Sequence, residues 1–185
     1  MSHNSKTALV LLFDGVEEIE ALTPIDLLSR AGVQVTQATL NSQPTVLGRS
    51  DICVQVDHTF EAIKENEYDV IILPGGPGIA NLRNHPALCK KLTTQFESKR
   101  LVAGICAAPL IFSDASLLNQ INFTAHPSTH TALNIKTEID LVVDRNLITA
   151  SGAGNAVEFS LAVVSALTSP EVAQKIATDI CWNPL

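Results

Sequence analysis

A cysteine at the junction of a strand and a helix is the most reactive group that the sequence predicts. The apolar run Leu101–Ile105 is typical of a buried strand, and the run that begins at Ala107 predicts a helix with Pro109 in its first turn. Cys106 therefore lies where a nucleophile elbow places its reactive side chain. The positive end of the helix is expected to favour the thiolate. The alternative is a buried structural thiol.

Three further turns follow strand-like runs. The segment Gly15–Glu20 carries three glutamates, the segment Gly75–Gly78 is rich in glycine, and Ser151–Asn155 consists of small residues. The glycine-rich turn exposes backbone N–H groups to a ligand, but it lacks the Lys-Ser/Thr ending of a phosphate loop. For the glutamates, the alternative to a chemical role is a solvated first turn of a helix, where acidic side chains suit the dipole.

The elements that must position these turns alternate between strands and helices along the whole chain. We therefore predict one domain over residues 1–185, with the fold class α/β: a doubly wound, mostly parallel sheet sandwiched between helices. In such sheets the carboxyl ends of the strands form the site, so the four turns should meet at one edge. The predicted strands are Thr7–Phe13, Val33–Leu40, Ile52–Val56, Tyr68–Leu73, Leu101–Ile105, Asn122–Ala125, Ile135–Val143 and Leu147–Ala150.

Composition excludes several classes of function. The chain has 185 residues, 46% hydrophobic residues and a net charge of −7. No apolar run approaches the roughly 20 residues of a membrane helix. No basic cluster exceeds Lys90-Lys91, which argues against nucleic acid as a main partner. The segment Met1–Lys6 lacks the shape of a signal peptide, so we expect a cytoplasmic protein.

The remaining cysteines and histidines suggest no metal site. Cys53, Cys89 and Cys181 are not spaced as metal ligands, and we expect them to be packing residues. His126 and His130 have the spacing of two ligands on a helix, but Pro127 argues against a continuous helix there. The other histidines, and His130 itself, are predicted to be surface residues.

Three motifs in this order resemble the ThiJ/PfpI superfamily in its DJ-1-like branch, which shares the fold of class I glutamine amidotransferases. They are Asp14–Glu20, Leu73–Gly76 and Ala103–Pro109, and the match continues through Ser151-Gly152 to Glu158-Phe159. The resemblance implies a flavodoxin-like sandwich, a homodimer and a nucleophilic cysteine. One departure is a compact segment from Pro127 to Asp144, which implies a different pocket rim.

The resemblance also implies roles for individual residues. Cys106 matches the nucleophile, Glu20 the acidic partner of its sulfur, and His126 a nearby histidine. A carboxyl group beside a buried thiolate should have a raised pKa. For His126 the alternative is a packed side chain. The backbone amides around the reacting oxygen match Gly75, Gly76 and Ala107, and the polar border of the site at the dimer contact matches Glu17, Arg30 and Arg49.

The activity implied is a cysteine-dependent glyoxalase or deglycase that needs no cofactor and no metal. Its substrates would be methylglyoxal-type 2-oxoaldehydes or their early glycation adducts. One alternative is an oxidative-stress sensor or chaperone-like protein with an oxidisable Cys106. Another is a cysteine hydrolase or amidase, which is disfavoured because neither His126 nor His130 has a carboxylate two residues away.

Overall fold

The apolar runs of the sequence form the centre of a seven-stranded sheet. The computed structural model describes residues 5–183. Most of the segment Met1–Lys6, on which the signal-peptide prediction rests, therefore lies outside the described residues. In chain order the strands are β1 (Thr7–Leu12), β2 (Gln34–Thr39), β3 (Thr45–Leu47), β4 (Cys53–Gln55), β5 (His58–Thr59), β6 (Val70–Leu73), β7 (Leu101–Ile105), β8 (Leu141–Asp144) and β9 (Leu147–Ala150).

The strand order is β5-β2-β1-β6-β7-β9-β8, and every pair is parallel except β8 with β9. Side chains of β1 and β6 are almost wholly buried, as expected for strands that helices cover on both faces. The chain leaves β1 toward one edge and β6 toward the other. This reversal places the topological switch point, where α/β proteins form their sites, between these two strands.

Helices cover both faces of the sheet. They are α1 (Glu18–Arg30), α2 (Phe60–Ile63), α3 (Pro86–Glu97), α4 (Pro109–Asp114), α5 (His130–Leu133), α6 (Ala156–Leu167) and α7 (Pro170–Asp179). Helix α1 packs against α6, and α6 packs against α7, while α3 contacts α4. The predicted fold class is confirmed. Among residues 5–183, no helix has the length and apolar character needed to cross a membrane.

One predicted strand is wrong, and another is much shorter than predicted. The segment Asn122–Ala125 is not a strand, because the N–H of Thr124 donates to the side-chain oxygen of Thr149 at 2.9 Å instead of joining a ladder. Of the range Ile135–Val143, only the last residues form a strand, β8, which runs antiparallel to β9 at the sheet edge.

The predicted strand Ile52–Val56 contains β4, one arm of a hairpin, which pairs with β3 outside the main sheet.

Candidate active site

Cys106 forms a strained elbow directly after β7. Its φ is +63°, a left-handed conformation that few residues other than glycine adopt. Its N–H donates to the carbonyl of Ala150 at 2.9 Å, which ties the elbow to the end of β9. Gly104 allows this packing, since a Cβ there would lie 2.4 Å from the ring of Phe112. The predicted strand–turn–helix geometry is present, with Pro109 as the first residue of α4.

Glu20 is a buried carboxyl group in the first turn of α1. It is 1% exposed, and its Oε2 accepts a hydrogen bond from the N–H of Gly75 at 2.8 Å. Its other oxygen, Oε1, is buried and has no hydrogen-bond partner within the described part of the chain. Burial raises the pKa of Glu20 to about 7, and the hydrogen bonds with Gly75 and Cys106 oppose this rise only in part.

The Gly75-Gly76 turn after β6 brings Cys106 and Glu20 together. A Cβ on Gly75 would lie 2.7 Å from the Cβ of Cys106 and 2.8 Å from both Glu20 Oε2 and the nitrogen of Ala107. Gly76 has φ +111°, and a Cβ there would lie 2.4 Å from the carbonyl oxygen of Gly15. Only glycines therefore allow this close approach of the three segments.

The thiol of Cys106 is protonated in the resting site. Burial, and after it the negative charge of Glu20, raises the pKa of the Cys106 thiol to about 12. Hydrogen bonds with the backbone N–H groups of Gly76 and Ala107 act in the opposite direction but are weaker. The expectation that the helix would favour the thiolate is therefore wrong. Helix α4 has only six residues, so its dipole is small beside the burial of the sulfur.

His126 lies at the rim of the site. It is exposed, which excludes the alternative of a packed side chain, and its N–H donates to the carbonyl of Cys106 at 2.8 Å. Its Nδ1 accepts from the N–H of Ser128 at 3.2 Å, with the Ser128 hydroxyl at 2.8 Å. These hydrogen bonds assign the proton of the neutral imidazole to Nε2. The predicted turn at residues 151–155 also reaches this rim, since a Cβ on Gly152 would lie 3.4 Å from the His126 ring.

A pocket of about 480 Å³ opens in front of Cys106. Arg49 lines this pocket as His126 does, and forms an ion pair with Glu17 at 3.0 Å. Arg83 also lines the pocket, and a bidentate ion pair with Asp114 holds it there. The other lining residues are Gly76, Pro77, Ile79, Ala80, Ala107, Leu110, Ser128 and Thr129.

Comparison with known proteins identifies the family. The model of the DJ-1/PfpI family matches residues 6–166. The chain belongs to this family. It is 36% identical to protein DJ-1beta of Drosophila melanogaster over 181 residues, covering 95% of this chain and 97% of that protein. It is 32% identical over 184 residues to the glutathione-independent glyoxalase DJR-1.2 of Caenorhabditis elegans, covering 95% and 96%. The structure titled "Toxoplasma gondii DJ-1, oxidized" superposes with a TM-score of 0.92 at 30% identity, covering 97% of this chain and all of that one.

Within this chain, Arg30 is not part of the site. It lies at the last residue of α1 and pairs with Asp26, whereas Glu17 directly precedes the first residue of that helix. The two ends of a 13-residue helix are roughly 20 Å apart.

The expectation for the other cysteines is wrong in two cases: Cys53 and Cys181 are exposed, and Cys89 is half-buried. Cys53 is in the small hairpin and Cys181 follows the end of α7, so neither reaches the main core. The histidines also have structural roles that the sequence did not indicate. His85 accepts from the N–H of Leu88 and caps α3, and His130 bonds the carbonyl of Ala125. In residues 5–183, no His, Cys, Asp and Glu side chains cluster as a metal site would require.

Sequence reasoning missed Ser128 and Arg83. A signal for Ser128 was available. At helix starts a side chain commonly accepts a hydrogen bond from an N–H two or three residues later, and here the His126 side chain accepts from the N–H of Ser128. Arg83 had none, since Asp114, which orients it, is 31 residues away.

Proposed function

We propose that this DJ-1/PfpI protein is a cysteine-dependent glyoxalase that acts on methylglyoxal-type 2-oxoaldehydes. The main support is the pairing of Cys106 with a buried carboxyl group, Glu20, whose pKa of about 7 suits a general base at neutral pH. A relative with 32% identity that bears the name of a glutathione-independent glyoxalase supports the same reaction.

In the first step, Glu20 accepts the proton of the Cys106 thiol while the sulfur bonds to the aldehyde carbon. The carbonyl electron pair moves to the oxygen, where the N–H groups of Gly76 and Ala107 stabilise the charge. Glu20 then returns the proton to that oxygen. The product is a hemithioacetal, and Glu20 is again a carboxylate. A base is needed here because the free thiol is protonated at neutral pH.

In the second step, Glu20 removes the hydrogen of the former aldehyde carbon as a proton and returns it to the neighbouring carbon, and the hydroxyl proton of the first carbon passes to the oxygen of the second. The first carbon is oxidised and the second reduced, so no external oxidant or reductant takes part. His126 donates from Nε2 to the oxygen of the second carbon while the enediolate forms. Water then hydrolyses the resulting thioester, which releases a 2-hydroxy acid such as lactate and restores the thiol. Early glycation adducts carry the same two-carbon unit and could enter the same steps.

The first experiment is direct detection of lactate from methylglyoxal, because a reactive thiol can bind the aldehyde reversibly and mimic its removal. We expect lactate from the wild type, none from Cys106→Ser, and a rate lower by roughly 10²- to 10⁴-fold from Glu20→Gln. Cys181→Ser is the matched control and should keep full activity, since Cys181 is exposed and far from the pocket. Absence of lactate from reduced, folded wild-type protein would contradict the proposal. A parallel assay with a glycated peptide separates deglycase from glyoxalase activity.

A second candidate function is an oxidation sensor or chaperone-like protein. The structure titled as an oxidised form of the Toxoplasma gondii protein favours it. A second support is Oε1 of Glu20, which has no hydrogen-bond partner among residues 5–183 and, when protonated, could donate a hydrogen bond to a sulfinate. We expect mild peroxide to convert Cys106 to the sulfinic acid in the wild type and much less in Glu20→Gln, as measured by peptide mass spectrometry. An unmodified Cys106 alongside oxidised Cys53 and Cys181 would exclude this function.

A hydrolase or amidase is the least supported alternative. Those enzymes orient their histidine with an acid, whereas Nδ1 of His126 is bonded to Ser128. Peptidase turnover that disappears in Cys106→Ala would revive it.

We also propose a homodimer formed through α1. Ile19 and Leu22 are 50% and 41% exposed on this helix, beside the pocket residue Glu17. Light scattering after size exclusion should give twice the mass of the chain, and Ile19→Lys should reduce it to the monomer value.

A further inference from the structure

The turn of the small hairpin carries an arginine to the mouth of the pocket. We call residues 48–52, which connect β3 to β4, the arginine loop. Its Arg49 lines the pocket and pairs with Glu17, yet half of its side chain is exposed. Four of the five residues of the loop are exposed. Packing of its own side chains therefore cannot fix its position.

Hydrogen bonds of its backbone attach the arginine loop to the residues just before α1 and to the first residue of that helix. The N–H of Arg49 donates to the carbonyl of Val16 at 2.9 Å. The N–H of Ser50, the next residue, donates to Oε1 of Glu18 at 2.8 Å. Glu18 is 7% exposed, so this contact is shielded from water. A carboxylate that holds an N–H in such a place fixes the backbone on either side of it.

Gly48 makes room for this contact. A Cβ at position 48 would lie 2.2 Å from Oε1 of Glu18 and 2.5 Å from its Cδ. Any larger residue would displace the carboxylate from the loop.

The charge of Glu18 is preserved by these contacts. Burial alone would raise its pKa, but hydrogen bonds with its own backbone N–H, with the backbone and hydroxyl of Ser50 and with the backbone of Ile52 hold the pKa of Glu18 below its ordinary value. Glu18 is therefore ionised throughout the neutral range. The proposed reaction does not use this carboxylate.

We propose that Glu18 is a positioning residue, which fixes the arginine loop so that Arg49 presents its guanidinium to an anionic oxygen of the molecule entering the pocket. The ligand chemistry is a carboxylate or an oxyanion of similar shape, because the guanidinium binds such groups through two parallel N–H donors. Arg49 uses one terminal nitrogen, Nη1, for Glu17, which leaves the edge formed by the Nε and Nη2 N–H groups for the ligand. The part of this inference that names an anionic substrate rests on the proposed function. The part that says Glu18 fixes the position of the Arg49 charge does not depend on it.

Alkylation of Cys106 tests the position of the charge without any turnover. Iodoacetate and iodoacetamide differ in charge but form the same kind of thioether. The measured quantity is the rate with iodoacetate divided by the rate with iodoacetamide. This ratio at Cys106 is divided by the same ratio at the exposed Cys181 in the same sample, and both are obtained by peptide mass spectrometry. We expect this ratio to fall by about two- to fivefold in Arg49→Ala, the effect of one partly exposed charge contact. Glu18→Gln should reduce it to a similar extent, although the net charge of the protein then becomes less negative.

A double-mutant cycle separates positioning from general damage. If Glu18 acts through Arg49, Glu18→Gln should produce no further fall in the ratio when Arg49 is already alanine. Gly48→Ala is the second variant, for use if Glu18→Gln does not fold, and it should act in the same way. An unchanged ratio in a folded variant, or an equal fall with and without Arg49, would overturn the proposal.

The kinetic counterpart is a split between KM and kcat. For a 2-oxoaldehyde that bears a carboxylate, Glu18→Gln should raise KM several-fold and leave kcat nearly unchanged, while KM for uncharged methylglyoxal should change less. If no protein forms lactate, the proposed function fails, but the alkylation ratios still decide the role of Glu18.

Discussion

Glu18 and Glu20 lie two residues apart in the first turn of the same helix, and both are more than nine-tenths buried. Their pKa values nevertheless move in opposite directions. The pKa of Glu20 rises to about 7, mainly because the group is buried. That of Glu18 falls, because hydrogen bonds from its own backbone N–H and from the arginine loop together outweigh its burial.

The comparison shows that burial alone does not make a carboxyl group reactive. One oxygen of Glu20 has no partner among residues 5–183, so the charged form lacks compensation. Glu18 faces backbone N–H groups that stabilise its charge. The first environment favours a group that gains and loses protons near neutrality, and the second favours a permanent anion that holds structure.

The largest expected effect is on the pH dependence of catalysis. The base must be ionised, so kcat/KM of the wild type should rise about tenfold per pH unit below 7 and level off above it. Glu20→Gln should lower kcat/KM by roughly 10²- to 10⁴-fold, the usual contribution of a general base, and remove this limb. The measurement is the initial rate of lactate formation between pH 5 and 9.

Glu18→Gln is the matched control for that profile. In this variant kcat/KM should still rise with pH and level off near pH 7, since the lowered pKa of Glu18 keeps it ionised there. If Glu18→Gln removed the limb and Glu20→Gln kept it, the roles assigned to the two glutamates would be reversed.

The second prediction concerns the stability of the fold. The folded pKa of Glu20 exceeds its ordinary value of 4.5, so the folded state binds more protons between pH 4.5 and 7. The stability that Glu20 contributes is full below pH 4.5 and is lost as the pH rises through 7. Glu20→Gln mimics the neutral form and should increase the free energy of unfolding at pH 8 by up to about 3 kcal/mol, from a shift of 4.5 to about 7. The gain should shrink toward pH 5.

Glu18→Gln should lower the free energy of unfolding, the opposite of the change expected for Glu20→Gln. Its folded pKa is lowered, so its contribution is present above pH 4.5 and lost only as the pH falls through the folded pKa. The substitution should cost about 1–3 kcal/mol, equally at pH 5 and pH 8, because a neutral amide replaces the charged acceptor and brings its own NH2 donor against the N–H groups of the loop. Urea unfolding of both variants at the two pH values measures these differences. Variants that shift together with pH would contradict the distinction between the two sites.

The sequence was sufficient for the fold and for the elbow, because both depend on local patterns. Runs such as Tyr68–Leu73 and Leu147–Ala150 predict buried parallel strands, and the carboxyl ends of such strands must share an edge. The difference between Glu18 and Glu20 could not be predicted in this way. It depends on Ser50 and Gly75, which lie 32 and 55 residues further along the chain.

The errors have the same origin. The thiolate expectation for Cys106 weighed a nearby helix start but not the depth of burial, which depends on the whole fold. The strand predicted at Asn122–Ala125 has suitable residues, but the Thr149 side chain takes the N–H that a ladder would need. Local preference was overridden by a tertiary contact in each case.

The smallest expected effect comes from the charged pair at the pocket mouth. Arg49 lowers the pKa of Glu20 and Glu17 raises it, but both are minor influences beside burial. Arg49→Met should therefore move the acid limb of the pH profile to higher pH, and Glu17→Gln should move it to lower pH, each by less than about one unit because these side chains are partly solvated.

Both shifts should diminish as sodium chloride is raised from 0.05 to 0.5 M, whereas the limb of the wild type, which burial determines, should stay near pH 7. If the wild-type limb itself moved by more than one unit with salt, surface charge and not burial would control Glu20. The contrast between Glu20 and Glu18 would then be one of charged neighbours, and the buried Oε1 of Glu20 would lose its role in the mechanism.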